Sequence, residues 1–179
     1  MTPKPPDHVA GIVAQWARER PDLDASPISI IGRMARLTQL VDPHLRPPFV
    51  EAGLGNGDFD VLAALRRAGA PFTLTPGQLS TALLVTTGAI SKRIDRLEAR
   101  GLVRRTVSDA DARGRLVTLT SGGADLTDQL IAVHLANEDR LLVSLSASER
   151  DHLAALLGQL AASLENPHDI EATQAGEHR

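Results

Sequence analysis

Eight basic side chains fall between positions 86 and 118: Lys92, Arg93, Arg96, Arg100, Arg104, Arg105, Arg113 and Arg115. Only Asp95, Glu98, Asp109 and Asp111 offset them, so this stretch carries +4 while the rest of the chain carries −7. The whole-chain net charge of −3 hides the island. The chemistry such a cluster offers is electrostatic, the gripping of a polyanion phosphate by phosphate. A solvated helix face is the competing reading of any charge run, and only the order of elements separates the two. Catalytic arrangements are missing: no Gly-rich phosphate loop follows a strand, and no G-x-S-x-G occurs. His134 and Glu138 stand four apart on a helical stretch, but two ligands fall short of a metal site. The chain has no cysteine, which excludes thiol nucleophiles, disulfides and cysteine-held metals. We therefore expect no enzyme, no catalytic residue, no metal and no cofactor.

The elements that must position these residues follow from periodicity and caps. An amphipathic stretch over 9–20 stops at Pro21. Ser26–Pro27 reads as a helix start, with a side-chain oxygen to cap and Pro at the first position. Ile30, Met34, Leu37 and Val41 then recur at helical spacing, and Ile28, Ile31, Ala35 and Thr38 widen the stripe. Two apolar faces on one helix imply two partners, an own-chain core and another subunit. Pro43 and Pro47–Pro48 bend or end this helix. A further helix over 58–68 turns Phe59, Leu62 and Leu65 inward. Thr75-Pro-Gly-Gln78 is a capping box opening a short helix, and Thr86–Thr87 caps another that closes at Gly101. The period then changes to two over 102–107 and 115–120, with polar 108–114 between them, which makes a β-hairpin with a charged tip. A long helix starts near 124. Ser146-Ala-Ser-Glu149 opens a last one carrying Leu153, Leu156, Leu157, Leu160 and Leu164.

A short helix, a tight turn, a basic helix and an arginine-bearing hairpin form the layout of a winged helix-turn-helix, mainly α with a small β wing. The physics suits duplex DNA: one helix fills the major groove while a hairpin reaches the adjacent minor groove. With Ile90, Ile94 and Leu97 inward, Gly88, Ser91, Lys92 and Asp95 face outward. Ser91 and Lys92 can donate to base edges or phosphates. Thr86 and Thr87 sit where a helix N-terminus favours a phosphate. Arg93, Arg96 and Arg100 flank this face, placed either for phosphates or for internal ion pairs. In the hairpin, Arg113 beside Gly114 suits the narrow minor groove, with Asp111 holding its guanidinium and Arg115 following. Four aromatics, Trp16, Phe49, Phe59 and Phe72, are too few for stacking on single strands. A helical adaptor that binds another protein through its terminal helices is the rival class, and it predicts no salt-sensitive DNA binding.

The run from Thr87 to Val103, followed by Asp111-x-Arg113-Gly114 and Leu119–Thr120, resembles the MarR (multiple antibiotic resistance regulator) family. The resemblance spans 28–164. It implies an intertwined homodimer, joined through the N- and C-terminal helices, whose two winged domains read a palindromic operator, by default as a repressor. Ala112 departs from the pattern, since many members carry a second arginine there. A narrower resemblance, in the stretch beginning at Trp16 and in 59–67, is to the urate-responsive, pectinase-regulator-like branch. It implies a site for a small aromatic anion such as urate or a related purine, built from Trp16, Asp60, Arg67 and Arg105. Other phenolic or carboxylate effectors remain open within the family. Such a set makes chemical sense: indole supplies a stacking surface, arginines hold an anionic ring, and a carboxylate accepts from ring N–H groups.

At 179 residues the chain is sized for one compact body with a full core. The expected organisation is an unstructured N-terminus over 1–8, N-terminal helices over 9–48, a winged domain over 57–120, dimerisation helices over 121–164 and a flexible tail over 165–179. With no apolar run long enough for a bilayer and no hydrophobic leader at MTPKPPD, a cytoplasmic protein without a membrane partner is expected.

Overall fold

The computed structural model describes residues 7–108 and 111–165, without the side chains of 108 and 111–114. The element order is α1 (His8–Glu19), α2 (Ile28–Leu45), α3 (Pro47–Glu51), α4 (Asp58–Arg67), β1 (Thr73–Leu74), α5 (Pro76–Leu83), α6 (Thr87–Ala99), β2 (Val103–Ser108), β3 (Asp111–Leu119), α7 (Ser121–Leu141) and α8 (Ala147–Glu165). Two compact units divide between 137 and 138. The first holds the winged domain, and the second holds α8.

In the first unit, α4, α5, α6 and the sheet enclose one core. Leu62, Leu65, Leu79, Ile90, Ile94, Leu97 and Val117 are completely buried. Leu54 and Leu130 join the same cluster, so the folded core reaches beyond both ends of 57–120. Caps set the helix starts as the local sequence dictates. The Thr75 hydroxyl accepts from the Gln78 backbone N–H, and the Gln78 side chain accepts from the Thr75 backbone N–H. Thr86 caps α6 by accepting from Ala89 N–H. Between them Leu84 makes the tight turn in the left-handed region, at φ 52°.

Several local expectations change. Residues 7 and 8 are ordered rather than unstructured: Asp7 caps α1, accepting from Val9 and Ala10, and pairs with Arg33 of α2. Ser26 does not cap α2, because its own N–H and hydroxyl donate to Asp24. Pro43 lies inside α2, which runs on to Leu45, and Pro47 then begins the short helix α3. The sheet has three strands in the order β1-β3-β2, both pairs antiparallel. The two-residue β1, too short to show a period, pairs Thr73 with Thr118 and Leu74 with Val117. β3 also begins earlier than expected. Val107 pairs with Arg115 and Ser108 with Asp111, so residues 112–114 form an irregularity within the strand. Arg113 therefore belongs to the strand backbone rather than to the hairpin tip. The tip at 109–110, the segment 1–6 and the tail 166–179 lie outside the described residues.

In the second unit, α8 starts with the expected box: Ser146 Oγ accepts from Glu149 N–H while the Glu149 carboxylate accepts from Ser146 N–H. Hydrogen bonds from Ser146 also hold the Glu149 carboxyl below its usual range. No helix among the described residues is long and apolar enough to cross a membrane.

Candidate nucleic-acid interface and an adjoining cleft

Helix α6 has three faces. Ile90, Ile94 and Leu97 fill the core. Gly88, Ser91, Lys92 and Asp95 are exposed on the outward side, with Thr86 and Thr87 at the helix start. The third face carries Arg93, Arg96 and Arg100; Arg96 and Arg100 stay exposed, but all three guanidinium groups are bonded to the protein. Arg93 donates to the Gly57 carbonyl at 3.3 Å and lies 3.8 Å from Asp60. Arg96 donates two hydrogen bonds to Asp58, a carboxylate only 2% exposed, and that partner raises the arginine's pKa. Arg100 donates to the Gly53 and Ala52 carbonyls at 2.6 and 2.8 Å. Of the two roles open to these arginines, the geometry fulfils the internal one.

The outward face keeps its donors. Lys92 and Ser91 carry side chains without a hydrogen bond or ion pair among the described residues. Asp95 is drawn sideways to Arg105 at 2.5 Å. Arg105 also bonds Glu98 at 2.9 Å, and its backbone N–H donates to the same carboxylate. The root of the wing is thus locked to α6. On the wing, Arg104 and Arg115 are exposed. Arg104 gave no signal of its own in the sequence, although the strand period puts it on the solvent side. The Asp111 and Arg113 side chains lie outside the described residues.

The four residues of the effector set are not brought together. Asp60 lines a cleft of about 220 Å³ with Asp42, Leu45, Arg46, Phe49, the segment 54–57 and Phe59. Phe49 and Phe59 stack there at 4.3 Å. Trp16, Arg67 and Arg105 are not among its lining residues. Trp16 is half exposed on α1, and Arg67 is exposed at the far end of α4. Seven residues along a helix separate Asp60 and Arg67 by about 10 Å of rise. The cation beside Asp60 is Arg93, 33 positions further along the chain, which helical spacing within α4 had no means of revealing.

Known proteins sharpen this picture. The MarR family profile matches residues 52–114. The HTH-type transcriptional regulator PecS of Dickeya dadantii is 39% identical over 88% of this chain and 95% of its own. A mutant MarR from E. coli, solved in complex with operator DNA, is similar at a TM-score of 0.65 and 29% identity, covering 81% of this chain and 96% of that one. AbsC, a MarR family regulator from Streptomyces coelicolor, shares the fold at a TM-score of 0.72 over 80% of this chain and 97% of its own. Fold and outward helix together define a winged helix-turn-helix transcriptional regulator. The chain belongs to the MarR family.

Proposed function

We propose that this regulator is a repressor that binds a palindromic duplex operator as a homodimer and is released by a small aromatic anion, such as urate or a related purine. The observation that carries the DNA reading is the outward face of α6. There Lys92 and Ser91 stay exposed beside a helix N-terminus bearing Thr86, Thr87 and Gly88, while every neighbouring arginine on that helix is internally bonded. Gly88 lets a sugar–phosphate backbone approach closely, and the N-terminal N–H groups favour its charge. Arg115 with Asp111 and Arg113 on the wing would reach the flanking minor groove. Dimerisation is supported by α2 and α8, neither of which buries a single residue within one chain. Two copies of α6 would then meet half-sites about one helical turn apart.

The cleft supports the effector reading. Stacked Phe49 and Phe59 offer an aromatic wall, Arg46 a cation, and Asp42 and Asp60 acceptors for ring N–H groups. Of the expected set we retain Asp60, whose neighbouring cation is Arg93 rather than Arg67, and keep Trp16, Arg67 and Arg105 as residues that a second subunit or a shift of the wing would have to deliver. The wall formed by 54–57 is also the segment on which α6 rests. A ligand preferring a displaced wall by ~1–3 kcal/mol would shift the DNA-competent population usefully.

A mobility-shift assay on the DNA flanking its own gene, at two salt concentrations and with urate, xanthine and aromatic carboxylates, tests both parts. Replacing Lys92 by Ala should weaken binding about tenfold and flatten the salt dependence. If no duplex binds even at low salt, the DNA reading fails. If Trp16→Ala and Asp60→Ala respond to urate as the unaltered protein does, the effector reading fails alone.

A further inference from the structure

Arg93, Arg96 and Arg100 follow one another at spacings of three and four, which aligns them along one side of α6. Each lies over a different glycine of the segment preceding α4, in reversed order: Arg100 over Gly53, Arg96 over Gly55, Arg93 over Gly57. A methyl group added to Gly57 would stand 2.1 Å from the Arg93 guanidinium carbon, and one on Gly55 would stand 3.2 Å from Arg96 Nε. Gly53 and Gly57 also hold φ of +71° and +75°, where side chains are disfavoured. Helix and segment therefore run antiparallel, with glycine at every second position so that guanidinium groups can lie on the backbone. The rungs are closed by hydrogen bonds. Arg100 forks onto two carbonyls, and Arg96 forks onto Asp58, whose carboxylate also accepts from Gly55 N–H at 2.8 Å.

We propose that Arg96 and Arg100, with Arg93 as the third rung, are positioning residues that fix the roll and height of α6 on residues 53–57 and make no phosphate contact. This rests on the DNA-binding reading. It assigns the sequence preference of the protein partly to side chains that never reach a base. A planar fork bridging two acceptors is the property that lysine lacks at the same charge. Charge alone would suffice for a phosphate.

The test uses the full chain, a duplex from upstream of its own gene and a random-sequence duplex of equal length, with binding followed by fluorescence anisotropy across a salt series. Arg100→Lys, Arg96→Lys and Asp58→Asn should leave the salt slope unchanged yet lower the preference for the upstream duplex about tenfold. Amide exchange along α6, measured without DNA, should rise in the same variants and stay level in Lys92→Ala. Circular dichroism screens Asp58→Asn for folding. If that variant unfolds, the exposed Arg100 carries the test through Arg100→Lys. Retained preference in the lysine variants overturns the proposal. So does a slope lowered by about 0.9 for each arginine removed in Arg96→Gln and Arg100→Gln, which would make these residues phosphate ligands. Failure of the unaltered protein to prefer the upstream duplex would count against the DNA-binding reading, whereas the exchange result would still judge the rungs.

Discussion

The winged domain and the long helices α2 and α8 use the same kind of amino acid to opposite ends. In α4 and α6 the apolar residues on the helical stripe vanish from solvent: Leu62, Leu65, Ile90, Ile94 and Leu97 are all at zero exposure. In α2, Ile30, Ile31, Leu37 and Leu40 stand 46–60% exposed, and in α8 Leu153, Leu156 and Leu157 stand at 41–49%. One stripe is satisfied by its own chain, and the other is left open. Contiguous apolar faces of this kind mark surfaces that a partner covers. The winged domain is therefore complete within one chain, whereas the terminal helices carry apolar residues that their own chain leaves open and that the second copy of the proposed dimer would cover.

Breaking each side of that contrast should give different failures. The largest effect is expected in the closed core. Ile94→Ala should lower stability by about 2–5 kcal/mol, seen as a shifted urea midpoint, because a completely buried side chain leaves a cavity behind. A midpoint close to that of the unaltered protein would mean that α6 is not packed as described. Next comes the open stripe. Leu37→Glu or Leu157→Glu should leave the helical circular dichroism signal in place but move the sedimenting species to the mass of one chain. A dimer that survives both substitutions would place the interface elsewhere.

The smallest expected effect concerns α1, tied to α2 through Asp7 and Arg33. The arginine's hydrogen bond holds the Asp7 carboxyl below its ordinary value of 3.8. A lowered acid pKa means that the contact contributes fully above that value and is lost as pH falls through the lowered one. Trp16, the single tryptophan of the chain, sits on the same helix and reports it. Its fluorescence should be steady from neutral pH down to about pH 4 and change below. Asp7→Asn should remove the transition, and a change centred near neutral pH would point to another group.

Much of the fold was legible because the signals that set it act over one helical turn. Thr75 with Gln78, Thr86 with Ala89 and Ser146 with Glu149 cap the helices that their spacing predicts. The apolar period likewise fixed which residues of α4 and α6 point inward. Ser26 misled for the same local reason, since Asp24, two residues earlier, takes its hydroxyl. The candidate site was half legible. Its outward residues on α6 follow from the core period, but the arginines' partners do not.

What the chain determined by itself is therefore the set of elements, their starts and their buried faces, since these depend on neighbours three or four positions away. Tertiary structure alone decided that Thr73 pairs with Thr118, that Arg93 rather than Arg67 stands beside Asp60, and that the guanidinium groups of Arg96 and Arg100 bond to the segment 52–58. A guanidinium on a long side chain can satisfy its donors in several directions, and the acceptors it finds here are brought to it from 38 to 48 positions away only by folding.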